Sequence, residues 1–181
     1  MTRVIINKKT GLIILGVFVV LSIYLVNALW NPSGNIQPLN KLPTFKIRDV
    51  EGTTFDLSTR SAKPIIIHFM VITCGGSYST VNDNQLRELA KLHLSIGDKV
   101  EIVTVVVTTC ATTDLIEFKH YYNVTWTFGN DYDDKKLDVL ESFKKFNMTD
   151  GTIIIGTSQN VFQEMVQEEV ELATLREKLR L

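Results

Sequence analysis

Cysteine, proline and net charge are all scarce in this chain. Its 181 residues include two cysteines and four prolines, and 19 basic residues nearly balance 20 acidic ones. The formal net charge of -1 gives no reason to expect binding to nucleic acid or to another polyanion. Internal repeats and low-complexity segments are also absent. A chain of this length and composition therefore predicts one compact domain with a real core.

Charged residues are missing altogether from one long apolar stretch, Gly11 to Trp30. About 20 apolar residues are enough to cross a bilayer as a helix. Basic residues and no acidic residue precede the stretch, so the positive-inside rule places residues 1–10 in the cytoplasm and the remainder outside. We therefore predict a transmembrane anchor over residues 11–30, which makes this a single-pass cell-membrane protein with an extracytoplasmic C-terminal part.

A cleaved signal peptide is the alternative interpretation of this stretch, with Val26 to Ala28 as a small-residue cleavage site. The apolar region of a signal peptide is usually only about 7 to 15 residues long, which favours the anchor. Export would also make two N-glycosylation sequons usable, at Asn123 and Asn147. Sequons of this kind arise readily by chance in a chain rich in Asn, Ser and Thr.

Residues 31–43 are rich in Pro, Gly, Asn and Ser and lack apolar periodicity, which predicts a tether between membrane and domain. After them, "TFKIRDVEGTTFDLS" alternates about a turn at Glu51 and Gly52 and predicts a β-hairpin. The following "KPIIIHFMVI" is almost continuously apolar. Such a run is typical of a central strand that is covered on both faces.

Helical and strand patterns alternate over the rest of the chain. The predicted elements are, in order, a helix from Tyr78 to Leu94 capped by Ser77 or Ser79, a strand from Lys99 to Val107, a helix capped at Thr112 to Asp114 and ending at Tyr122, an amphipathic helix in "KKLDVLESFKKF", the strand "TIIIG", its hairpin partner "NVFQEMV" and a terminal helix in "VELATLREKLRL". The aromatic-rich "HYYNVTWTF" favours a cluster that packs the last helix onto the sheet over a cage for a ligand.

This element order predicts an α/β, thioredoxin-like fold with an N-terminal β-hairpin extension over residues 44–181. The lead-in "LPTFKIRDVEGTTFDLS" and the strand–cysteine corner "KPIIIHFMVITC" resemble the membrane-anchored, extracytoplasmic thioredoxin-like families, above all Sco/SenC and the TlpA/ResA-like redoxins. The resemblance extends from Leu42 to the C-terminus. It implies thiol–disulfide exchange or copper handling in the assembly or maintenance of an outer-facing membrane enzyme, such as a respiratory oxidase.

The active-site pattern departs from each of these families. Ser77 takes the place of the second cysteine of a C-x-x-C pair, and Tyr78 takes that of the C-x-x-x-C copper motif. The Sco histidine is replaced near Gly151, and no proline follows Pro64 to supply the cis-proline of thioredoxins. Peroxiredoxins carry a hydroxyl residue where Val71 stands. The motif is degenerate, so the corner cysteine lacks its usual partner.

The other cysteine is predicted to supply that partner. Cys74 follows the first buried strand and should lie at a helix N-terminus, where a thiolate is stabilised. Cys110 follows the second buried strand, which in a thioredoxin topology runs parallel to the first as its neighbour. Adjacent strands are about 4.8 Å apart, within the Cα separation of about 4.4 to 6.8 Å that a disulfide needs. The bridge is either structural or a redox couple with Cys74 as the more exposed, attacking thiol.

Copper binding is a further hypothesis. Met148 is expected in the loop that faces Cys74, so Cys74, Cys110 and Met148 would offer Cu(I) three soft sulfur ligands. The other residues of metal-ligating types are better explained as structural: Met70 in a buried strand, His120 on a helix surface, and His68 and His93 at the edge of the core.

Two functions are compatible with these features. The first is a membrane-tethered protein that handles thiol–disulfide exchange or copper for a membrane-protein client. The second is a non-catalytic accessory subunit of a membrane complex, in which the fold is a rigid module and the Cys74–Cys110 bridge is structural. The corner cysteine favours the first function, whereas the missing cis-proline and second corner cysteine favour the second.

Overall fold

The computed structural model describes four stretches of the chain: residues 41–60, 62–74, 78–132 and 138–180. The predicted cytoplasmic segment, the anchor over residues 11–30 and most of the tether lie outside these described residues. Within them, no helix is both long enough and apolar enough to span a bilayer.

The predicted hairpin is confirmed. Strands β1 (Lys46–Arg48) and β2 (Thr54–Asp56) pair antiparallel, and Gly52 in the connecting turn has φ 102°, a conformation that glycine adopts readily. Ile47 and Phe55 face each other across the pair and are both buried. The hairpin therefore contributes one apolar face to the core, while Lys46 and Arg48 of β1 are exposed.

A five-stranded mixed sheet forms the centre of the domain, in the order β5-β4-β3-β6-β7. Strand β3 is central, as its apolar run predicts, and it pairs parallel with β4 and antiparallel with β6. The strands span Ile65–Val71 (β3), Glu101–Val107 (β4), Thr127–Asn130 (β5), Thr152–Gly156 (β6) and Phe162–Val166 (β7).

Alternate residues of the strands enter two core clusters, one on each face of the sheet. On β3, Ile66 and Met70 join the first cluster and Ile67 and Phe69 join the second. The α-helices are α1 (Thr80–Ile96), α2 (Thr112–Tyr121), α3 (Asp138–Phe143) and α4 (Leu172–Lys178). The first cluster contains the buried apolar residues of α1, α2 and α4, and the second contains those of α3 and the hairpin.

Helix α1 begins with the predicted cap. The hydroxyl of Ser79 accepts the backbone N–H of Asn82 in the first turn, which satisfies one of the N–H groups that a helix leaves unpaired at its start. Its apolar stripe, Leu86, Leu89 and Leu92, is fully buried. Helix α2 differs from the prediction because its N-cap is Ala111, which offers no side-chain cap, and not the Thr112 to Asp114 segment.

Strand β5 is absent from the sequence prediction, which assigned its residues to an aromatic cluster under the last helix. The cluster exists, but it packs α1 and α2 onto the sheet. Phe118 on α2 stacks on Phe128 of β5, and Trp126 meets His93 of α1 edge to face. The aromatic residues of this segment indicated a packing cluster, and the short strand within it was therefore not predicted. Large aromatic side chains fill the space between sheet and helices here.

A buried ion pair fastens the hairpin to this part of the sheet. Lys119 on α2 donates to both carboxylate oxygens of Asp49, at 3.0 and 3.1 Å, and to Glu51. Asp49 also accepts the backbone N–H of Phe128 at 2.7 Å. Burial by itself lowers the pKa of Lys119, but its hydrogen bonds to Glu51 and Asp49 outweigh burial and raise the pKa overall.

Candidate functional site

The two cysteines meet at the carboxyl edge of the central strands. Val71 of β3 is opposite Val107 of β4 in the parallel register, and each cysteine lies three residues beyond its strand's last paired residue. Equal offsets on neighbouring parallel strands bring Cys74 and Cys110 together, and the structure joins them in a disulfide with a Cα–Cα distance of 5.1 Å. The strand order alone accounts for this pairing.

The two sulfur-bearing residues differ in their surroundings. Cys74 is exposed, whereas Cys110 is half-buried and packs against the first core cluster, as do Tyr78 and Phe118. The bridge is therefore accessible to another molecule from the Cys74 side. This asymmetry agrees with the predicted role of Cys74 as the exposed member of the pair.

Hydroxyl groups surround the disulfide. Thr108, which is 6% exposed, donates from Oγ1 to the carbonyl of Ile72 at 2.6 Å, and the same oxygen lies 2.9 Å from Cys110 Sγ. The backbone N–H of Cys110 donates to this hydroxyl oxygen at 3.1 Å. On the other side of the bridge, Thr109 Oγ1 lies 3.9 Å from Cys74 Sγ.

The predicted position of Cys74 at a helix N-terminus is wrong. Helix α1 begins at Thr80 with Ser79 as its N-cap, and Ser79 is the fifth residue after Cys74. The stabilisation that a helix dipole gives to an anion falls off within the first turn. The cysteine beside a helix start is instead Cys110, which immediately precedes the N-cap of α2.

The loop before β6, where thioredoxins carry their cis-proline, is tied to the same corner by Asp150. Its Oδ1 accepts the backbone N–H of Val71 at 2.8 Å and the side-chain amide of Asn82 at 2.8 Å. The next residue, Gly151, has φ 74°, and a Cβ at this position would lie 2.7 Å from a methyl group of Val81. Glycine is therefore needed for the loop to lie this close to α1.

A buried glutamine supports the loop before β6 with two hydrogen bonds. Gln85 of α1 donates its amide hydrogens to the carbonyls of Gly151 and Glu168, at 2.7 and 2.8 Å.

His68 of β3 is fully buried, with Thr104 Oγ1 at 3.5 Å from its Nδ1. The prediction that His68 lies at the edge of the core is wrong, because it occupies the middle of the central strand. Burial lowers its pKa to about 4.

The other proposed ligands are dispersed. Met148 packs against the second core cluster, on the opposite face of the sheet from the cluster that Cys110 contacts. Met70 is buried and His120 is exposed beside Glu51, as predicted. No group of three or more His, Cys, Asp or Glu side chains placed to hold a metal occurs in the described part of the chain.

The two sequon asparagines share a backbone conformation. Asn123 and Asn147 are both exposed, with φ 52° and 49°, and each follows a helical segment. Asparagine tolerates this left-handed conformation better than most residues and often ends helices. The structure therefore supplies a reason for both asparagines that is independent of glycosylation, which stays a prediction.

Comparison with solved structures gives consistent matches to one fold. A secreted disulfide oxidoreductase of Mycobacterium tuberculosis, homologous to E. coli DsbE, superimposes with a TM-score of 0.61 at 14% identity, covering 75% of this chain and 94% of that one. The chain has the thioredoxin fold. A thioredoxin-family thiol:disulfide interchange protein from Chlorobium tepidum (TM-score 0.64, 10% identity, coverage 78% and 94%) and StoA from Bacillus subtilis (0.58, 16%, 76% and 96%) show the same fold.

At these identities the comparison establishes the thioredoxin fold alone. No protein-family model and no curated protein matches the sequence. The expected cysteine corner is present on this fold, but sequence reasoning missed Thr108 and Asp150. Thr108 had one available signal, since it lies two residues before a cysteine at a strand end. Asp150 had none, because its partners Val71 and Asn82 are distant in the chain.

Proposed function

We propose that this thioredoxin-fold protein is tethered to the outer face of a membrane and exchanges thiols and disulfides with a client protein through Cys74 and Cys110. The observation that carries the proposal is a disulfide with one exposed cysteine at the carboxyl edge of the two central strands. The similarity in fold to a protein named as a disulfide oxidoreductase and to another named as a thiol:disulfide interchange protein supports it. The predicted anchor and tether would hold the domain near a membrane-bound client.

The loop before β6 supports a narrow choice of client. The cis-proline loop of thioredoxins presents backbone groups to a substrate, but this loop contains no proline, and its Asp150 carboxylate accepts the N–H of Val71 at the end of β3. We therefore expect selectivity for one partner, such as a protein of a respiratory-type membrane enzyme under assembly, and weak activity on generic disulfides.

Copper handling remains a second part of this proposal. Soft sulfur ligands suit Cu(I), but Cys74 and Cys110 can ligate it only after their disulfide has been reduced. Met148 would have to leave its packing against the second core cluster to join them.

The reduction potential of the Cys74–Cys110 pair tests the exchange function. We expect a value above about -300 mV, in the range of disulfides that exchange with other thiols. The Cys110→Ser variant should also trap a mixed disulfide between Cys74 and a client, because the resolving cysteine is missing. A potential well below this range, together with no trapped client, would reject the exchange function.

A non-catalytic accessory subunit is the second candidate. It is favoured by the distance of Cys74 from the start of α1 and by the Asp150 contact that fastens the corner. In that case the bridge closes a loop between residues 36 apart and stabilises the fold by about 3 to 4 kcal/mol. Cys110→Ser would then lower the melting temperature without loss of a client-linked activity.

A further inference from the structure

The asymmetry of the disulfide assigns different roles to its two sulfurs. Thiol–disulfide exchange depends on which sulfur an attacking thiolate can reach and on how well the other sulfur leaves. Cys74 is exposed and Cys110 is half-buried against the first core cluster. A client thiolate therefore attacks Cys74, and Cys110 is the leaving group.

The start of α2 is suited to a leaving thiolate at Cys110. Cys110 immediately precedes Ala111, the N-cap of a ten-residue helix, and Ala111 supplies no side-chain acceptor to the first N–H groups. These N–H groups and the helix dipole favour a negative charge nearby. Helix α1 does not provide the same for Cys74, since it begins at Thr80 and its first turn is already capped by Ser79.

Thr108 supplies a second and independent donor. Its one hydroxyl proton has two acceptors within reach, the Ile72 carbonyl at 2.6 Å and Cys110 Sγ at 2.9 Å. In the disulfide state the proton goes to the carbonyl, because a neutral sulfur is a weak acceptor. A thiolate is charged and accepts a much stronger hydrogen bond. Because Thr108 is 6% exposed, water competes little for the proton.

We propose that Cys110 is the stabilised thiolate of the reduced pair, and that Thr108 is a positioning residue which redirects its O–H from Ile72 to Cys110 Sγ when the disulfide opens. This inference rests on the proposed exchange function. The client thiolate forms a bond to Cys74 Sγ, and the electron pair of the broken S–S bond leaves on Cys110. Attack by Cys110 on Cys74 reverses the step and expels the client. Attack by a second client thiolate on the client sulfur forms a client disulfide and leaves both cysteines reduced.

The Cys110 thiolate is stabilised by hydrogen-bond donors and not by a cationic side chain. The described segments around the bridge, residues 70–74, 78–82 and 106–114, contain no Lys, Arg or His. Their titratable groups besides the cysteines are the phenol of Tyr78 and the carboxyl of Asp114, and the loop before β6 adds Asp150. The two carboxylates oppose a thiolate, so the hydroxyl and backbone donors must outweigh them.

Titration of single-cysteine variants tests the assignment in the detergent-solubilised full chain. Thiolate absorbance followed against pH in Cys74→Ser reports Cys110, and the same measurement in Cys110→Ser reports Cys74. We expect the Cys110 pKa to lie below the free-cysteine value of about 8.5 and below that of Cys74. Adding Thr108→Val to Cys74→Ser should raise the Cys110 pKa by about one unit, the equivalent of a tenfold loss of thiolate stability.

Two matched variants make the result specific. Thr109→Val removes the hydroxyl on the Cys74 side and should leave the Cys110 titration unchanged, while Thr108→Ser keeps the hydroxyl and should keep the low pKa. A Cys110 pKa equal to or above that of Cys74 would overturn the inference, as would an unchanged titration in folded Thr108→Val. If Thr108→Val does not fold, the comparison of the two single-cysteine titrations decides. The titration involves no turnover, so it can succeed even where the reduction potential rejects the exchange function.

Discussion

His68 lies in the middle of β3, opposite Thr104 of β4 on one side and Ile153 of β6 on the other. Its imidazole is fully buried. Burial lowers its pKa from 6.5 to about 4 because the charged ring would lose its water, although the carboxylate of Asp150 partly opposes this effect. The unfolded chain restores an ordinary pKa. As pH falls from about 6.5 to 4, the unfolded state therefore takes up a proton that the folded state does not.

Stability should consequently fall as the solution is acidified through this window and be unaffected by His68 above it. We expect the free energy of unfolding to lose up to about 3 kcal/mol from this residue between pH of about 6.5 and 4. Denaturant unfolding of the wild type and His68→Leu over this pH range measures the difference. The exposed His120→Gln variant is the control, because it removes an imidazole at the protein surface. An equally steep slope in His68→Leu would show that other groups cause the acid sensitivity.

The placement of individual residues could be predicted from the sequence where it follows from the order of the strands. The meeting of Cys74 and Cys110 needs only two parallel neighbours that end together, which the predicted thioredoxin topology implies. The prediction placed His68 at the edge of the core because its imidazole interrupts an apolar pattern. The position of a residue along a strand does not reveal whether a helix covers it. The Asp150 contact joins residues about 70 positions apart or more, beyond any local pattern.

Among the secondary-structure elements, the hairpin depends on one buried ion pair. Lys119 of α2 and Asp49 after β1 are both almost fully buried and hydrogen-bonded to each other. Removal of one partner leaves the other charge in the protein interior without compensation. The sequence does not predict this buried ion pair, because the other charged residues of the helix that contains Lys119 face solvent.

Lys119→Met should therefore destabilise the domain by about 3 to 5 kcal/mol, measured by denaturant unfolding. The double variant Asp49→Asn with Lys119→Met removes both charges and should recover part of the loss. Lys46→Met serves as the control, because Lys46 pairs with Asp56 at the surface, where its side chain is 71% exposed, and exposed pairs contribute little. A Lys119 variant no less stable than the Lys46 variant would contradict the assigned role of this pair.

Element boundaries were predictable to within a few residues, and the exceptions have physical causes. Ser79, one of the two predicted caps, caps α1 because its hydroxyl reaches the N–H of Asn82 in the first turn. The start of α2 was misplaced because its threonines suggest a cap that the backbone does not use. Strand β5 was missed because four residues are too few for a periodic signal, and β5 is stabilised by pairing with β4 and by the contact of Asp49 with Phe128.

For the whole molecule, the predicted anchor leads to a simple fractionation test. We expect the full chain to extract from membranes only with detergent, because residues 11–30 are uncharged and apolar. A fragment that starts near Asn35 should be soluble and folded, since the described domain contains both core clusters. Release of the full-length product as a chain shortened near Ala28 would favour the signal peptide instead.

The sequence by itself determined the fold class, the hairpin, the central strand and the partnership of the two cysteines. The elements follow from local chemistry, because apolar periodicity selects strands and helices and glycine permits turns. The cysteine partnership follows from the thioredoxin topology that the element order predicts, in which the two strands are parallel neighbours and their carboxyl ends lie at one edge. Tertiary structure decided which cysteine lies beside a helix terminus, how Asp150 fastens the corner, and how deeply His68 and Lys119 are buried. Those outcomes depend on packing between segments distant in the chain, where a shift of a few residues in a helix start changes which N–H groups and hydroxyls face the sulfur atoms.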